Sequence, residues 1–225
     1  MLNTKHARHA HHTTRYAAES AALLVVGYPA LLRKRCLTWG ATHEERVREM
    51  PGDHLLPSAA VVTTRAVTVN APPSAVWPWL VQMGPGRGGA YTYDWVENLF
   101  GLGMHSADEV LPEFQHPPIG DAQRLGRKGP VLRLAALEPE RAMVLRSDDG
   151  AWVWSFGLYP QGESTRLVSR NRITRPHRTP VTAVFDMYVM EPGSLVMERK
   201  MLLGIKQRAE TLAREPEVSA SGSPS

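Results

Sequence analysis

The apolar pattern changes period along the chain, and each change marks an element. Val61 to Asn70 alternates and is rich in Val and Thr, the signature of a half-buried strand. Val67 and Val69 share one face of it, and Arg65 has the same parity. Ala71-Pro72-Pro73 ends the strand. Pro73 suits the first position of a helix, where its missing N–H costs nothing. Val76, Leu80 and Met83 then recur at helical spacing, with Trp77 and Val81 beside them, and Pro78 bends the axis by removing one backbone bond. Past Pro112 the period becomes two. Strands are predicted near Ala122–Leu125, Val131–Leu137, Ala142–Ser147, Ala151–Tyr159 and Thr165–Thr174, with a strong hairpin turn at Asp148-Asp149-Gly150. Trp152, Trp154, Phe156 and Leu158 fall on one face of the fourth of these. Thr179 to Met190 is apolar and β-branched, and stays open between helix and strand. From Leu195 to Arg214 the period is helical again, with Leu195, Leu202, Ile205, Ala209 and Leu212 as one stripe and Glu198, Arg199, Lys206 and Arg208 assigned to the opposite face. Such a helix needs a sheet to lie on.

Before and after this region the patterning differs, which divides the chain into an N-terminal extension (1–57), a domain (58–214) and a tail (215–225) rich in Ser, Pro and Gly and expected to be disordered. Lys5 to His12 holds a cluster of histidines, but it stands at the terminus with no Cys or carboxylate partner and reads as a flexible basic tail. Ala17 to Leu32 is the most hydrophobic run, interrupted by Gly27 and Pro29 and too short for the ~20 residues of a spanning helix. Arg33-Lys34-Arg35 follows it directly. Two readings stay open: a helix packed on the domain, or a peripheral membrane contact through Ala17–Arg35. Thr42 and Glu45 fit a capping box at the start of a short helix that Pro51-Gly52 ends.

Composition narrows the class of partner. The 225 residues are 43% hydrophobic and 21% charged, enough for a sizeable core and too apolar for a disordered chain. Net charge is +4, with 26 basic and 22 acidic residues interspersed, which gives no stripe for nucleic acid. The single cysteine, Cys36, excludes an internal disulfide and fits a reducing, cytoplasmic compartment. No metal or cofactor is expected. Gly84-Pro-Gly86-Arg-Gly88-Gly89 matches a phosphate-binding spelling, yet it follows a helix and has a Pro where an N–H is wanted. It reads as a mobile linker between helices.

The candidate chemistry clusters just beyond that linker. Tyr91, Tyr93 and Trp95 crowd together with Asp94, Glu97 and Asn98, on a short helix that Thr92 or Asp94 caps and Gly101 ends. Rings with polar tips beside carboxylates suit a cavity wall and equally suit ordinary core. Ser106 and Glu109 spell a second capping box and predict a helical turn through Leu111, with His105 just outside it as an acid–base candidate. Arg166, Arg170, Arg172, Arg175 and Arg178 form a basic run. It reads either as a solvated sheet face or as one Arg turned inward toward a ligand carboxylate, Asp94 or Glu97.

The order of elements and the residues together resemble a known superfamily. Val67-Thr-Val-Asn-Ala-Pro-Pro-Ser-Ala-Val-Trp resembles the opening of the START-related, birch-pollen-allergen-like superfamily, also labelled SRPBCC and including polyketide cyclase/dehydrase-like proteins. Leu137-Glu-Pro-Glu-Arg and Trp154-Ser-Phe-Gly-Leu are similar to its central hairpins. Trp95-Val-Glu-Asn-Leu, His105-Ser-Ala-Asp and Met197-Glu-Arg-Lys-Met-Leu-Leu-Gly-Ile-Lys resemble an uncharacterised bacterial branch. The resemblance implies an α+β helix-grip fold: a curved antiparallel sheet of six to seven strands around a long C-terminal helix, with a largely apolar cavity between them. It further implies binding or transport of a small hydrophobic molecule (lipid, sterol or polyketide-like), with Trp79, Met83, Tyr91, Tyr93, Trp95, Asn98, Trp152, Trp154 and Arg170 as lining residues. Two alternatives stand beside it. One is a cyclase/dehydratase-like enzyme using His105 with Asp94 or Glu97, and the other a lipid-handling protein held at a membrane surface by its N-terminal apolar segment. Neither the ligand nor the oligomeric state is legible.

Overall fold

A computed structural model describes residues 27–99, 101–126, 129–174 and 179–221, with side chains omitted at 29–30 and 215–221. The histidine cluster Lys5–His12, most of the apolar run from Ala17, and Arg127, Lys128, Arg175 and Arg178 of the basic segments lie outside the described residues.

Two short helices come first: α1 (Arg33–Leu37), which continues a π-type turn at Tyr28–Leu32, and α2 (His43–Val47). Strand β1 (Val61–Val69) leads into α3 (Pro73–Val81) and α4 (Asp94–Leu99). Then come β2 (Ala122–Arg124), β3 (Val131–Glu138), β4 (Ala142–Ser147), β5 (Trp152–Gln161) and β6 (Ser164–Ile173). Helix α5 (Pro180–Phe185) passes through a π-type turn, Asp186–Met190, into the long α6 (Glu191–Ser221). The strands form one antiparallel sheet of six in the order β1-β6-β5-β4-β3-β2, so the first strand closes against the last and the rest is a meander. With the long helix on one face, this is the α+β helix-grip arrangement.

The sheet has two differently used faces. Alternation places Val67 and Val69 of β1, Leu167 of β6, Phe156 and Leu158 of β5 and Leu145 of β4 on the front, where they bury against Val76, Trp79 and Leu80 of α3 and Met201, Leu202, Ile205 and Ala209 of α6. Gly204 makes the close approach of α6 feasible: a Cβ there would come within 2.6 Å of the Tyr91 carbonyl oxygen. The back face carries Ala66 and Val168, covered by Met50. The segment 38–58 lies over it. The Ala66 N–H donates to the Trp39 carbonyl at 3.1 Å, which protects the free edge of β1 from pairing with another chain. Gly52 sits at φ 90°, and a Cβ there would stand 2.6 Å from Val144 Cγ1 and 2.8 Å from Ser155 Oγ, so only glycine lets this turn touch the sheet.

Several expectations are corrected. Thr179–Met190, open between helix and strand from its pattern, is helical: Thr179 caps α5 reciprocally with Thr182, and Pro180 occupies its first turn. No helix follows the Ser106–Glu109 capping box, because the Ser106 hydroxyl is used elsewhere, accepting from the Tyr91 N–H at 3.0 Å and donating to Asp94 Oδ1 at 2.6 Å. The glycine-rich segment is a closed turn rather than a mobile linker. Gly84 and Gly89 exchange backbone hydrogen bonds of 2.9 and 3.2 Å, and Gly88 N–H donates to the Gln82 carbonyl. Those N–H groups are therefore spent within the turn, and Arg87 donates from it to the Val81 and Phe114 carbonyls and to Asp121. Helix α6 runs to Ser221, past Arg214, where the apolar stripe stops and a tail was expected. The Thr42–Glu45 capping box forms as its spacing predicts.

Candidate ligand site on the front face of the sheet

The front face is apolar over β3, β4 and the near ends of β5 and β6, and becomes polar toward Trp152 and Ile173. Three rings run along β5 into this region. The indoles of Trp152 and Trp154 stack at 5.7 Å between centroids and 18° between planes, and Trp154 meets Phe156 at 4.9 Å. Phe156 is buried, whereas both tryptophans are half-buried. Cross-strand partners satisfy their N–H groups: Trp154 Nε1 donates to Ser169 Oγ at 2.9 Å and Trp152 Nε1 to Asn171 Oδ1 at 2.8 Å. With their polar tips tied back to β6, the indoles present ring faces rather than N–H donors.

Behind the indoles lies a buried ion pair. Arg65 of β1 is fully buried and donates to Glu198 of α6, itself 7% exposed. Glu198 also accepts from Ser169 Oγ at 2.6 Å and Asn171 Nδ2 at 3.2 Å, so the two residues that hold the indoles hold the carboxylate as well. Arg65 makes two further bonds, to the Cys36 carbonyl at 3.2 Å and Ser194 Oγ at 3.0 Å. The network thus joins the sheet to α1 and to the start of α6. Burial pushes the Glu198 carboxyl above its ordinary range, and the Arg65 charge and the Ser169 hydroxyl oppose it. An ion pair in such a place rarely stabilises more than apolar packing of the same volume. The pair lies beside the two half-buried indoles, linked to them through Ser169 and Asn171.

Glu198 lies on the buried side of α6 and not on the polar face expected for it, and its pairing with Arg65 is not among the expectations from sequence. The signal was there. Glu198 precedes Leu202, Ile205 and Ala209 at helical spacings of one face, just as Arg65 shares parity with Val67 and Val69. One acid on the buried helix stripe and one base on the buried strand face predict each other.

The sequence-predicted residues are dispersed. Trp79 and Met83 are buried in the core cluster of α3. Tyr91 is buried too, at φ 58°, a left-handed conformation that costs a β-carbon residue roughly 1–3 kcal/mol. Its hydroxyl donates to the Trp79 carbonyl at 3.0 Å, its ring meets Trp79 edge-on at 6.0 Å, and Arg208 lies over it at 4.8 Å. Burial raises the phenol far above its ordinary range. Tyr93 and Trp95 face outward, Trp95 being 72% exposed. Asn98 bridges both backbone polar groups of Met104, at 2.9 and 2.7 Å. Asp94 is occupied by the Ser106 N–H at 2.8 Å and the Ser106 hydroxyl. His105 is exposed. Glu97 is buried with Oε2 unpartnered among the described residues; burial and the Asp94 charge raise its pKa, with Thr92 opposing. This cluster stitches the loop after α4 back onto the turn before it.

Arg170 is on the back face, so it pairs with neither a front-face ligand nor Asp94 or Glu97. It donates to Asp53 at 2.6 Å, to Thr64 Oγ1 and to the Glu45, Arg46 and Arg48 carbonyls. Arg166 grips Glu45 at 2.6 and 3.0 Å, and Arg172 reaches the Leu56 and Pro57 carbonyls at 2.8 Å. The basic run clamps the N-terminal extension onto the sheet. A cleft of about 700 Å³ remains beside that clamp, lined by Gly40, Thr42, Glu45, Arg48, Tyr159 and Arg166. No cluster of His, Cys, Asp and Glu able to hold a metal occurs among the described residues.

No protein-family model and no curated protein matches the chain. Solved structures do. A Mesorhizobium loti protein is 18% identical over 67% of this chain and 98% of its own, with a TM-score of 0.40. A Polyketide_cyc-like protein from Corynebacterium glutamicum is 16% identical over 73% of this chain and 96% of its own, at 0.34. CalU16 from Micromonospora echinospora is 14% identical over 68% of this chain and 85% of its own, at 0.32. These are distant likenesses, and the helix-grip assignment rests on strand order and helix placement in this chain.

Proposed function

We propose that the protein binds or carries a small hydrophobic molecule, lipid-, sterol- or polyketide-like, against the front face of its sheet. The observation that carries this reading is the pair of half-buried, stacked indoles whose N–H groups are already satisfied. Ring faces of that kind favour flat or aliphatic apolar surface. The Ser169 and Asn171 side chains that tie back the indoles are themselves bonded to the buried Glu198–Arg65 pair, which holds the two ring faces in place. No acid–base pair is needed for this role. Of the two carboxylates considered with His105, Asp94 is committed to Ser106, and Glu97 is buried while His105 is exposed.

Uptake of a fluorescent fatty-acid analogue, followed by tryptophan quenching, tests the proposal together with native mass spectrometry of the purified chain. The expected result is saturable one-to-one uptake, weakened about tenfold or more in Trp154→Ala through loss of an aromatic contact surface. A bare mass with no uptake of apolar probe overturns it, as does unchanged uptake in a Trp152→Ala/Trp154→Ala double variant.

A further inference from the structure

The surface formed by the Tyr28–Leu32 turn, α1 and α5 is built inside out. Along Pro180–Met190 the residues at 181, 184, 185 and 189 recur at helical spacing, and all are apolar and exposed. Val181 is 78% exposed. The acids of the same stretch are turned inward: Asp186 and Glu191 are each 5% exposed, and Arg33 holds Glu191 at 2.8 Å. Across from this stripe stand Leu31, 73% exposed, and Leu32. The Tyr28 and Tyr188 rings, 5.5 Å apart, hold the two segments side by side. An apolar stripe facing water with its acids buried reverses the usual amphipathic order and marks a surface that meets something apolar.

The charge around it chooses the partner. Lys34 and Arg35 follow Leu31 and Leu32 directly and are exposed, while Arg33 is spent on Glu191. In sequence, α5 is preceded by Arg175 and Arg178, and the Tyr28–Leu32 turn by the apolar run Ala21–Val26. Exposed apolar side chains next to the exposed cations Lys34 and Arg35, with no outward acid among the described residues of these two segments, complement an anionic bilayer: the stripe enters the acyl boundary and the cations meet the headgroups. No described helix is long and apolar enough to cross a membrane.

We propose that Leu31, Leu32, Val181, Val184, Phe185 and Val189, with Lys34 and Arg35, form a docking face for an anionic lipid surface. The part supplied by α5 lies far along the chain from the N-terminal apolar run, so docking is a two-segment contact rather than a tail anchor. The face also adjoins the front-face network, because Arg65 bonds the Cys36 carbonyl and Ser194 at the ends of these segments. Docking does not depend on what the front face holds.

The test is co-sedimentation of the full chain with phosphatidylcholine vesicles with and without about one-third phosphatidylserine. Expected is binding to the anionic vesicles that weakens with salt. Phe185→Ser/Val189→Ser should reduce partitioning about tenfold or more, and Lys34→Glu/Arg35→Glu should reduce it about tenfold on anionic vesicles only. All four positions are exposed, and an unchanged near-ultraviolet circular dichroism spectrum confirms that each variant is folded. Three results overturn the proposal: no binding of the parent chain to anionic vesicles, full binding by the Phe185/Val189 variant (the N-terminal run then acts alone), or a dimer that the same variant dissociates in place of vesicle binding. Probe uptake without vesicles is measured in parallel, so failure here is distinct from failure of the ligand reading.

Discussion

Both faces of the sheet bury arginines from the two paired strands β1 and β6, but they use them differently. On the back, Arg166, Arg170 and Arg172 reach mainly backbone carbonyls and the carboxylates of Glu45 and Asp53, all in one covering segment. Those acceptors are fixed by the chain path, and the result is a clamp. On the front, Arg65 reaches Glu198, whose other partners are the side chains that also position two indoles. Those partners are buried side chains of β6 that also bond the half-buried indoles. The same residue type therefore fastens a covering segment on one face and anchors a side-chain network behind two aromatic rings on the other. Partner chemistry, not arginine burial, makes the difference.

The comparison breaks first at Arg65. Removing one member of a buried ion pair leaves a charge without solvent or counter-charge, held only by neutral partners, so Arg65→Ala or Glu198→Ala should cost about 3–5 kcal/mol in urea unfolding. A double replacement, Arg65→Met with Glu198→Leu, should recover most of that loss, because two apolar groups of similar volume replace two desolvated charges. If the double variant is as unstable as the singles, the pair is a structural keystone and not an anchor for the rings alone. If it is stable yet takes up apolar probe with unchanged affinity, the network has no part in recognition.

Arg170→Ala comes next. It removes the nearer of the two cations at Asp53, leaving Arg172 at 3.6 Å, and the side-chain donor of three carbonyls, and should cost roughly 3 kcal/mol. The loss should be local, so limited proteolysis should cut within residues 48–57 in the variant and not in the parent. Cleavage spread over the whole domain would mean that the covering segment is part of the core, and the contrast between clamp and anchor would fail.

How much of this was legible follows from what each kind of signal encodes. Period-two and period-3.6 patterns report which face is buried; they place the six strands to within a residue or two of their ends and the core of α6, which extends four residues before and seven beyond the expected Leu195–Arg214. Turn chemistry at Asp148-Asp149-Gly150 and the Thr42–Glu45 box are local in sequence, and both formed. The site was harder to read because its parts are far apart: Arg65 and Glu198 are 133 residues from each other. An acid on an apolar helix stripe looks like a stripe edge until the strand opposite is known to carry a base. Ser106 shows the converse. Its capping-box spelling is intact, but its hydroxyl is taken by Asp94 and the Tyr91 N–H, partners that only tertiary folding supplies. The tyrosine and acid cluster was rightly singled out as unusual, yet its geometry holds a loop together.

pH sharpens the contrast through two buried glutamates. Burial alone would raise Glu45, but Arg166 and the Thr42 N–H outweigh it and hold its pKa below the ordinary value. Its folded pKa is depressed, so its contribution is present above about pH 4.3, the unfolded value, and is lost as pH falls through the folded one. Glu97 is the reverse: burial and Asp94 raise it, so its contribution is present below the unfolded value and lost as pH rises through the folded one. Glu45→Gln should therefore lower the melting temperature at pH 7 and change it less at pH 3. Glu97→Gln should raise it by a few degrees at pH 7 and leave it nearly unchanged at pH 4, about the effect of 1 kcal/mol in a chain of this size. Shifts of the same sign at pH 7 would remove the distinction.

The smallest effect belongs to Thr42. Its hydroxyl accepts from the Glu45 N–H at 3.2 Å, while Glu45 Oε2 accepts from the Thr42 N–H at 2.8 Å. Glu45 is at the same time the acid that Arg166 holds. Thr42→Ala removes only the hydroxyl, leaving the carboxylate bonded to both the Thr42 N–H and Arg166, so the cost should be that of an ordinary cap, about 1 kcal/mol. Thr42→Ser should keep nearly full stability. The size of the loss measures how far the clamp is one unit. If Thr42→Ala costs as much as Arg170→Ala, then α2 and the arginine contacts form and break together, and the back face folds as a single cooperative element. A loss near that of a simple cap leaves the arginines as independent fastenings, any one of which holds the segment while another is released.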